Sequence, residues 1–192
     1  MNIGCVVMAA GAASRFGGDK LAAELGGTSL LRRALDAVAA EKFSAVAVVS
    51  GRAEALAQAA ERGFLPVCNS RPDLGVSRTI RLGLEALGAV DGALFLVADQ
   101  PLLRRESVAA LADFFRAAPE QIAALGCGGQ RGNPVIFPRK YFPELLALTG
   151  DRGGGAVIRR HPDALRLLDV PAEELMDVDT VEELRRLREL DK

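Results

Sequence analysis

Four groups of residues in this 192-residue chain have side chains and spacing suited to phosphate chemistry. The first is the run from Ala9 to Lys20, A-A-G-A-A-S-R-F-G-G-D-K. Small residues at Ala9, Ala10 and Gly11 let a phosphate approach the backbone. Consecutive N–H groups in such a turn form an anion-binding concavity. Arg15 adds a planar fork and Lys20 a compact point charge. Together they suit a triphosphate. The run matches neither G-x-x-x-x-G-K-[ST] nor G-x-G-x-x-G. A Gly-rich turn after a first strand is as often structural as functional; the pairing of Arg15 with Lys20 favours phosphate binding.

The second group is Asp99 in V-A-D-Q-P, directly after an apolar run. A carboxylate there suits magnesium, which takes oxygen ligands from one or two carboxylates and from substrate phosphates. A turn-forming Asp before Pro101 is the competing reading. The third is Asp177-Val178-Asp179-Thr180. Asp177 and Asp179 point the same way if the backbone is extended, and Asp179 then joins Asp99 as a metal ligand. From the residues alone the favoured reading is that Asp179 or Thr180 is an N-cap for the helix that follows. The fourth runs from Asn69 to Leu84. Gly75 and Ser77 stand at a helix start, suited to a phosphate or base contact, whereas Arg78 and Arg81 read as a solvated helix face. The Gly-rich stretches 132–134 and 150–155 are turn formers or lids. The lone histidine, His161, reads as a surface C-cap.

Alternating elements must position these groups. Apolar runs at Gly4–Ala10, Ala45–Ser50, Leu65–Cys68 and Ala93–Ala98 read as strands, with further strands at Gln121–Leu125, Pro134–Phe137 and Ala164–Leu168. Gly126–Gly132 reads as the turn between two of them. Helical spacing covers Ser29–Ala40 with Thr28 as N-cap, Ala53–Glu61, Val76–Leu87, Arg105–Ala117, Arg139–Leu148, Gly154–Arg160 and Val181–Leu190. The alternation predicts an α/β domain with a mostly parallel sheet. Ligands of such sheets sit beyond the strands' carboxyl ends. The loops Ala10–Lys20, Asn69–Gly75 and Asp99–Leu102 are therefore expected to converge.

Composition excludes several partners. The net charge of −1 argues against nucleic acid and anionic membrane, and the 5% of aromatics with no Trp argue against a base-stacking platform. Cys5, Cys68 and Cys127 form no CxxC pair and no Cys/His cluster, so neither disulfides nor zinc are expected. No apolar run reaches a membrane span, and Met1–Met8 has no basic leader region; a cytoplasmic location is expected.

In their order, these elements resemble the bacterial molybdenum cofactor nucleotidyltransferases, and most closely the molybdenum cofactor cytidylyltransferases. The first loop is similar to that family's L-A-A-G-x-x-x-R-M-G-x-x-K, with Met8 and Phe16 as departures. Gly75–Leu84 resembles G-M-S-x-S-L-R-x-G-L, Asp99-Gln100-Pro101 its D-Q-P, Gly150–Gly153 its G-D-x-G, and Asp177–Thr180 its D-I-D-T. Gly132-Asn133-Pro134 stands where the family has G-H-P, so this position does not titrate near neutral pH. The resemblance implies a single domain over residues 1–192 with a Rossmann-like nucleotidyltransferase fold, three αβα layers around a mostly parallel sheet. It implies a magnesium-dependent transfer of CMP from CTP to the terminal phosphate of molybdopterin, releasing pyrophosphate. A molybdenum hydroxylase apoenzyme or its chaperone would receive the product. Arg15, Lys20 and Asp99 are the expected catalytic groups. Ala9, Ala10, Gly11, Arg15, Lys20, Gly75 and Ser77 are the expected nucleotide contacts, and Asp99 and Asp179 the metal ligands. Guanylyl relatives carry Gly where this chain has Ala10, which favours cytosine. A GTP-dependent or other phosphate-acceptor transferase and a non-catalytic cofactor chaperone stand as alternatives.

Overall fold

The computed structural model describes residues 1–11 and 16–190. In chain order, the elements are β1 (Ile3–Met8), β2 (Glu24–Leu25), β3 (Thr28–Ser29), α1 (Leu30–Asp36), β4 (Ala45–Ser50), α2 (Ala53–Glu61), β5 (Leu65–Cys68), α3 (Val76–Leu87), β6 (Gly92–Val97), α4 (Arg105–Ala117), β7 (Ile122–Cys127), β8 (Gln130–Pro138), α5 (Phe142–Leu146), α6 (Gly155–Arg160), β9 (Leu165–Asp169) and α7 (Val181–Leu190). Seven strands form one sheet in the order β5-β4-β1-β6-β8-β7-β9. Only β8 runs antiparallel to its neighbours, because a tight hairpin joins it to β7.

Alternation along β1 explains the layers. Ile3, Cys5 and Val7 point to one face, where α1, α2 and α4 contribute Leu31, Leu35, Ala55, Ala59, Val108, Leu111 and Phe115. Val6 points to the other, under Ile80, Leu84 and Leu87 of α3, Leu145 of α5 and Val157 of α6. Strands covered on both faces have to be continuously apolar, as β4 and β6 are. Gly83 lets α3 sit close on β1: a methyl there would lie 2.4 Å from Val6 Cγ1. The expected three-layer α/β architecture is present.

A third cluster holds the C-terminal helix. Leu184 and Leu187 of α7 pack with Val178, Leu25 and Leu30. Leu25 belongs to the β2–β3 hairpin, which the strand pattern did not predict because each strand is two residues long. Its turn, Gly26-Gly27, has positive φ at both residues, the conformation that a two-residue hairpin turn requires.

Several expected boundaries differ. Thr28 is not an N-cap; it pairs with Leu25 in the hairpin, and Ser29 caps α1 by accepting from Arg32 N at 3.2 Å. Helix α1 stops at Asp36, and the Val38 carbonyl instead accepts from Arg105 Nη1 at 2.7 Å. The helix expected over Arg139–Leu148 is broken into a 3-10 turn, Arg139–Tyr141, and the short α5, since Pro143 has no N–H to give. Gly126 and Gly132 lie within β7 and β8 rather than in their turn, which is Gly128-Gly129. Among the described residues no helix is long and apolar enough to cross a membrane, and all three cysteines are free thiols.

Candidate active site

The carboxyl ends of β1, β5 and β6 open into a cleft of about 270 Å³, and the expected loops meet there. Residues Met8–Gly11 form one wall, Pro72, Gly75 and Val76 another, and Ala98–Asp99 the floor. The centre of the site is an ionic triad. Lys20 Nζ donates to Asp99 Oδ2 at 2.7 Å and to Asp179 Oδ1 at 3.1 Å. Desolvation opposes the ammonium charge, but the bonds and charges of Asp99 and then Asp179 outweigh it, so the Lys20 pKa is raised. Two carboxylates 80 residues apart in sequence thus converge on one cationic point with a net charge of −1. At the rim, Asp177 is pushed up to about 6, chiefly by desolvation and then by repulsion from Asp99.

Local chemistry places each member. Asp19 Oδ1 accepts from Leu21 N and Ala22 N, both at 3.1 Å, and so caps the 3-10 turn that begins at Lys20. Arg52, after β4, pairs with Asp19 from the other side. Asp99 follows β6 directly, and its carbonyl accepts from Val178 N at 2.9 Å. Gln100 Nε2 donates to Leu175 O at 3.2 Å, and the fully buried Glu174 accepts from Arg104 N at 3.0 Å. These bonds zip the 174–179 segment to the loop after β6. Thr180 and Glu183 form a reciprocal capping box at α7: Glu183 N donates to Thr180 Oγ1 at 3.2 Å, and Glu183 Oε2 accepts from Thr180 N at 2.8 Å and Asp179 N at 2.7 Å. Thr180 therefore caps the helix, leaving the Asp179 carboxylate to face Lys20.

Ala9, Ala10, Gly11, Lys20, Gly75, Asp99 and Asp179 all line the cleft. Arg15 lies outside the described residues. Ser77 does not line the cleft: its side chain is buried and its N–H donates to Gly150 O at 3.1 Å. That bond brings the 150–155 loop to the site, where Asp151 joins the cleft wall. Gly75, at φ +86°, makes this approach feasible, because a Cβ there would lie 2.3 Å from the Gly150 carbonyl carbon. Arg78 is not simply solvated; it donates to Asn69 Oδ1 at 3.1 Å, and buried Asn69 in turn bonds Thr79. Arg81 is exposed and donates to Leu146 O at 3.1 Å. His161 ends α6 as its C-cap and bonds Glu144 at 2.7 Å. Asp19, Arg52, Thr79 and Asp151 were not among the expected site residues. Asp19 carried a local signal, an Asp two and three residues before N–H groups needing a cap, and Asp151 stood within the Gly150–Gly153 motif.

Comparison with known proteins decides what this arrangement belongs to. The MobA-like NTP transferase domain matches residues 5–165. The chain belongs to that family. It is 29% identical over 198 residues to the purine catabolism protein PucB of Bacillus subtilis (strain 168), across 95% of this chain and 94% of PucB. The crystal structure of Rv0371c from Mycobacterium tuberculosis H37Rv is 28% identical, with a TM-score of 0.81 over 98% of both chains. A manganese complex of Rv0371c is 26% identical, with a TM-score of 0.77 over 98% of this chain and 99% of that one.

As a MobA-like NTP transferase, the chain is a nucleotidyltransferase. The donor set suits a hard divalent cation: two carboxylate oxygens already reach a single cation position. Among the described residues there is no cluster of three or more metal-ligating side chains. A metal held here would take its other ligands from phosphates and water. One further cavity adjoins the cleft, and a second adjoins that one at Arg131 and Asn133. The first, of about 220 Å³, shares Met8, Val76 and Val97 with the cleft and is otherwise mostly apolar. The second, of about 400 Å³, lies between Gln100, Asp177 and the β7–β8 hairpin.

Proposed function

We propose that this nucleotidyltransferase moves CMP from CTP to the terminal phosphate of molybdopterin, with magnesium as its metal. The observation that carries the reading is the convergence of Asp99 and Asp179 on the Lys20 ammonium, 2.7 and 3.1 Å away, at the floor of a cleft walled by Ala9, Ala10 and Gly11. Asp99 and Asp179 would hold the magnesium, which supplies charge neutralisation at the phosphate oxygens. Lys20, no longer needed to neutralise the two carboxylates, turns its charge to the α-phosphate. Arg15 and Lys20 bind the triphosphate, and backbone N–H groups of the first loop orient it.

Transfer then needs positioning more than a covalent catalyst. A molybdopterin phosphate oxygen attacks the α-phosphorus, the bond to the bridging oxygen of the β-phosphate breaks, and pyrophosphate leaves with that electron pair. The attacking phosphate is already ionised, so no general base is required. This agrees with a chain whose single histidine, His161, does not line the cleft and is engaged with Glu144. Ala10 lines the cleft, and its methyl supports the pyrimidine over the purine. The chain as isolated is expected to release pyrophosphate from CTP only when molybdopterin and magnesium are both present. Equal or faster release from GTP would overturn the choice of nucleotide, and no release from any nucleotide would overturn the acceptor. Ala10→Gly is expected to narrow the preference of CTP over GTP.

A further inference from the structure

We infer that Arg131 and Arg159 form an oxyanion subsite that holds the acceptor substrate by a phosphate or carboxylate group. The inference rests on the transferase reading above and adds the residues that grip the second substrate. Arg131 stands at the start of β8 and Arg159 near the end of α6, yet their guanidinium groups flank the same point. A methyl group built on Gly155 would lie 3.6 Å from Arg131 Nη2 and 3.7 Å from Arg159 Nη1.

Two cations held this close repel one another: partial desolvation and then the Arg159 charge hold the Arg131 pKa below the usual arginine value, although both side chains reach solvent. Among the described residues neither has a carboxylate within ion-pair distance. The polar contact of Arg131 is a 3.3 Å bond to the neighbouring Gly132 carbonyl. Glu144, fifteen residues before Arg159, is used elsewhere: it pairs with Arg160 at 2.9 Å and with His161 at 2.7 Å. Two convergent forks without a counter-charge suit a ligand oxyanion, which each fork binds through charge-assisted N–H···O bonds.

Position gives this anion site its role. Arg131 lines both of the further cavities, which meet at Arg131 and Asn133. The smaller cavity continues to the cleft through Met8, Val76 and Val97, and is walled by Ile80, Phe95 and Phe137. An acceptor held here would present its attacking phosphate from the arginines and lay the rest of its body along the sheet. The Gly153–Gly155 backbone lines that cavity and leaves room for it.

The test uses inorganic phosphate as probe, added to the chain already saturated with magnesium and its preferred nucleotide, so that the triphosphate loop is filled. Phosphate is expected to raise the melting temperature of the parent further, and to have no such effect on Arg131→Met or Arg159→Met. Both variants should keep the nucleotide-induced rise, which shows that they are folded. Arg131→Lys is expected to recover part of the phosphate response. An undiminished phosphate response in both Met variants, or none in the parent, overturns the subsite. In turnover, each Met variant should raise the acceptor KM at least tenfold with the nucleotide KM within twofold of the parent; a change confined to the nucleotide KM also overturns it. If molybdopterin supports no pyrophosphate release at all, the choice of acceptor fails while the phosphate titration still judges the arginine pair.

Discussion

Lys20 is the residue on which the site turns. Its ammonium, only 14% exposed, separates two carboxylates that would otherwise repel each other. Replacing it with Met is expected to have two separable effects. Turnover should fall roughly 100- to 1,000-fold, the range for losing one preorganised charge at a phosphoryl centre. The metal-free variant should also melt lower than the parent, and magnesium should restore more stability to it than to the parent, because the metal then replaces the missing cation between Asp99 and Asp179. Steady-state kinetics and melting curves with and without magnesium check both. Near-normal turnover would remove Lys20 from the chemistry; a variant indifferent to magnesium would remove the metal from the two aspartates.

At the scale of elements, the site depends on two joints. One is the contact between the start of α3 and the 150–155 loop, at Gly75. Gly75→Ala forces a side chain into a conformation essentially confined to glycine, costing about 1–3 kcal/mol, and presses a Cβ against the Gly150 backbone. Chemical denaturation should show that loss, and the nucleotide KM should rise because the cleft wall moves. The other joint is the capping box of α7. Glu183→Ala removes the acceptor of two backbone N–H groups, those of Asp179 and Thr180. We expect a loss of about 1 kcal/mol and weaker metal binding, since Asp179 is no longer anchored. Glu183→Gln should recover most of both. If it recovers stability but not metal affinity, the Glu183 charge itself matters to the site.

Across the whole molecule, the parallel half of the sheet brings the loops after β1, β5 and β6 to one edge, and the hairpin β7–β8 closes the other side. Nucleotide and metal should therefore stabilise the fold jointly. CTP at about a hundred times its Kd adds about 2.7 kcal/mol, roughly 5 to 10 °C in melting temperature for a chain of this size. The shift is expected only with magnesium present, and to shrink sharply in Asp99→Asn. A full shift in metal-free buffer would show that the two aspartates serve only to hold Lys20.

Local patterns carried much of this. The apolar strands, their alternation with helices, and the Asp99 that follows β6 are short-range signals, because burial on two faces demands an unbroken apolar run and a carboxylate after it lies at the sheet's ligand edge. The phosphate-suited loop up to Lys20 was legible for the same reason. What the tertiary structure alone decided is which competing role each polar residue takes. Asp179 and Thr180 were equal candidates for the cap of α7, and only the position of Glu183 against both N–H groups assigns Thr180 to the cap and Asp179 to Lys20. Ser77 looked like a ligand contact until Gly150 took its N–H. Arg52 and the pairing of Arg131 with Arg159 had no local signal at all, because each depends on contacts between segments distant in sequence. Residue types and their spacing determined that this chain would bring a phosphate-suited loop beside carboxylates. Only the packing of α3, the 150–155 loop and α7 around the sheet determined which side chains are left to do so.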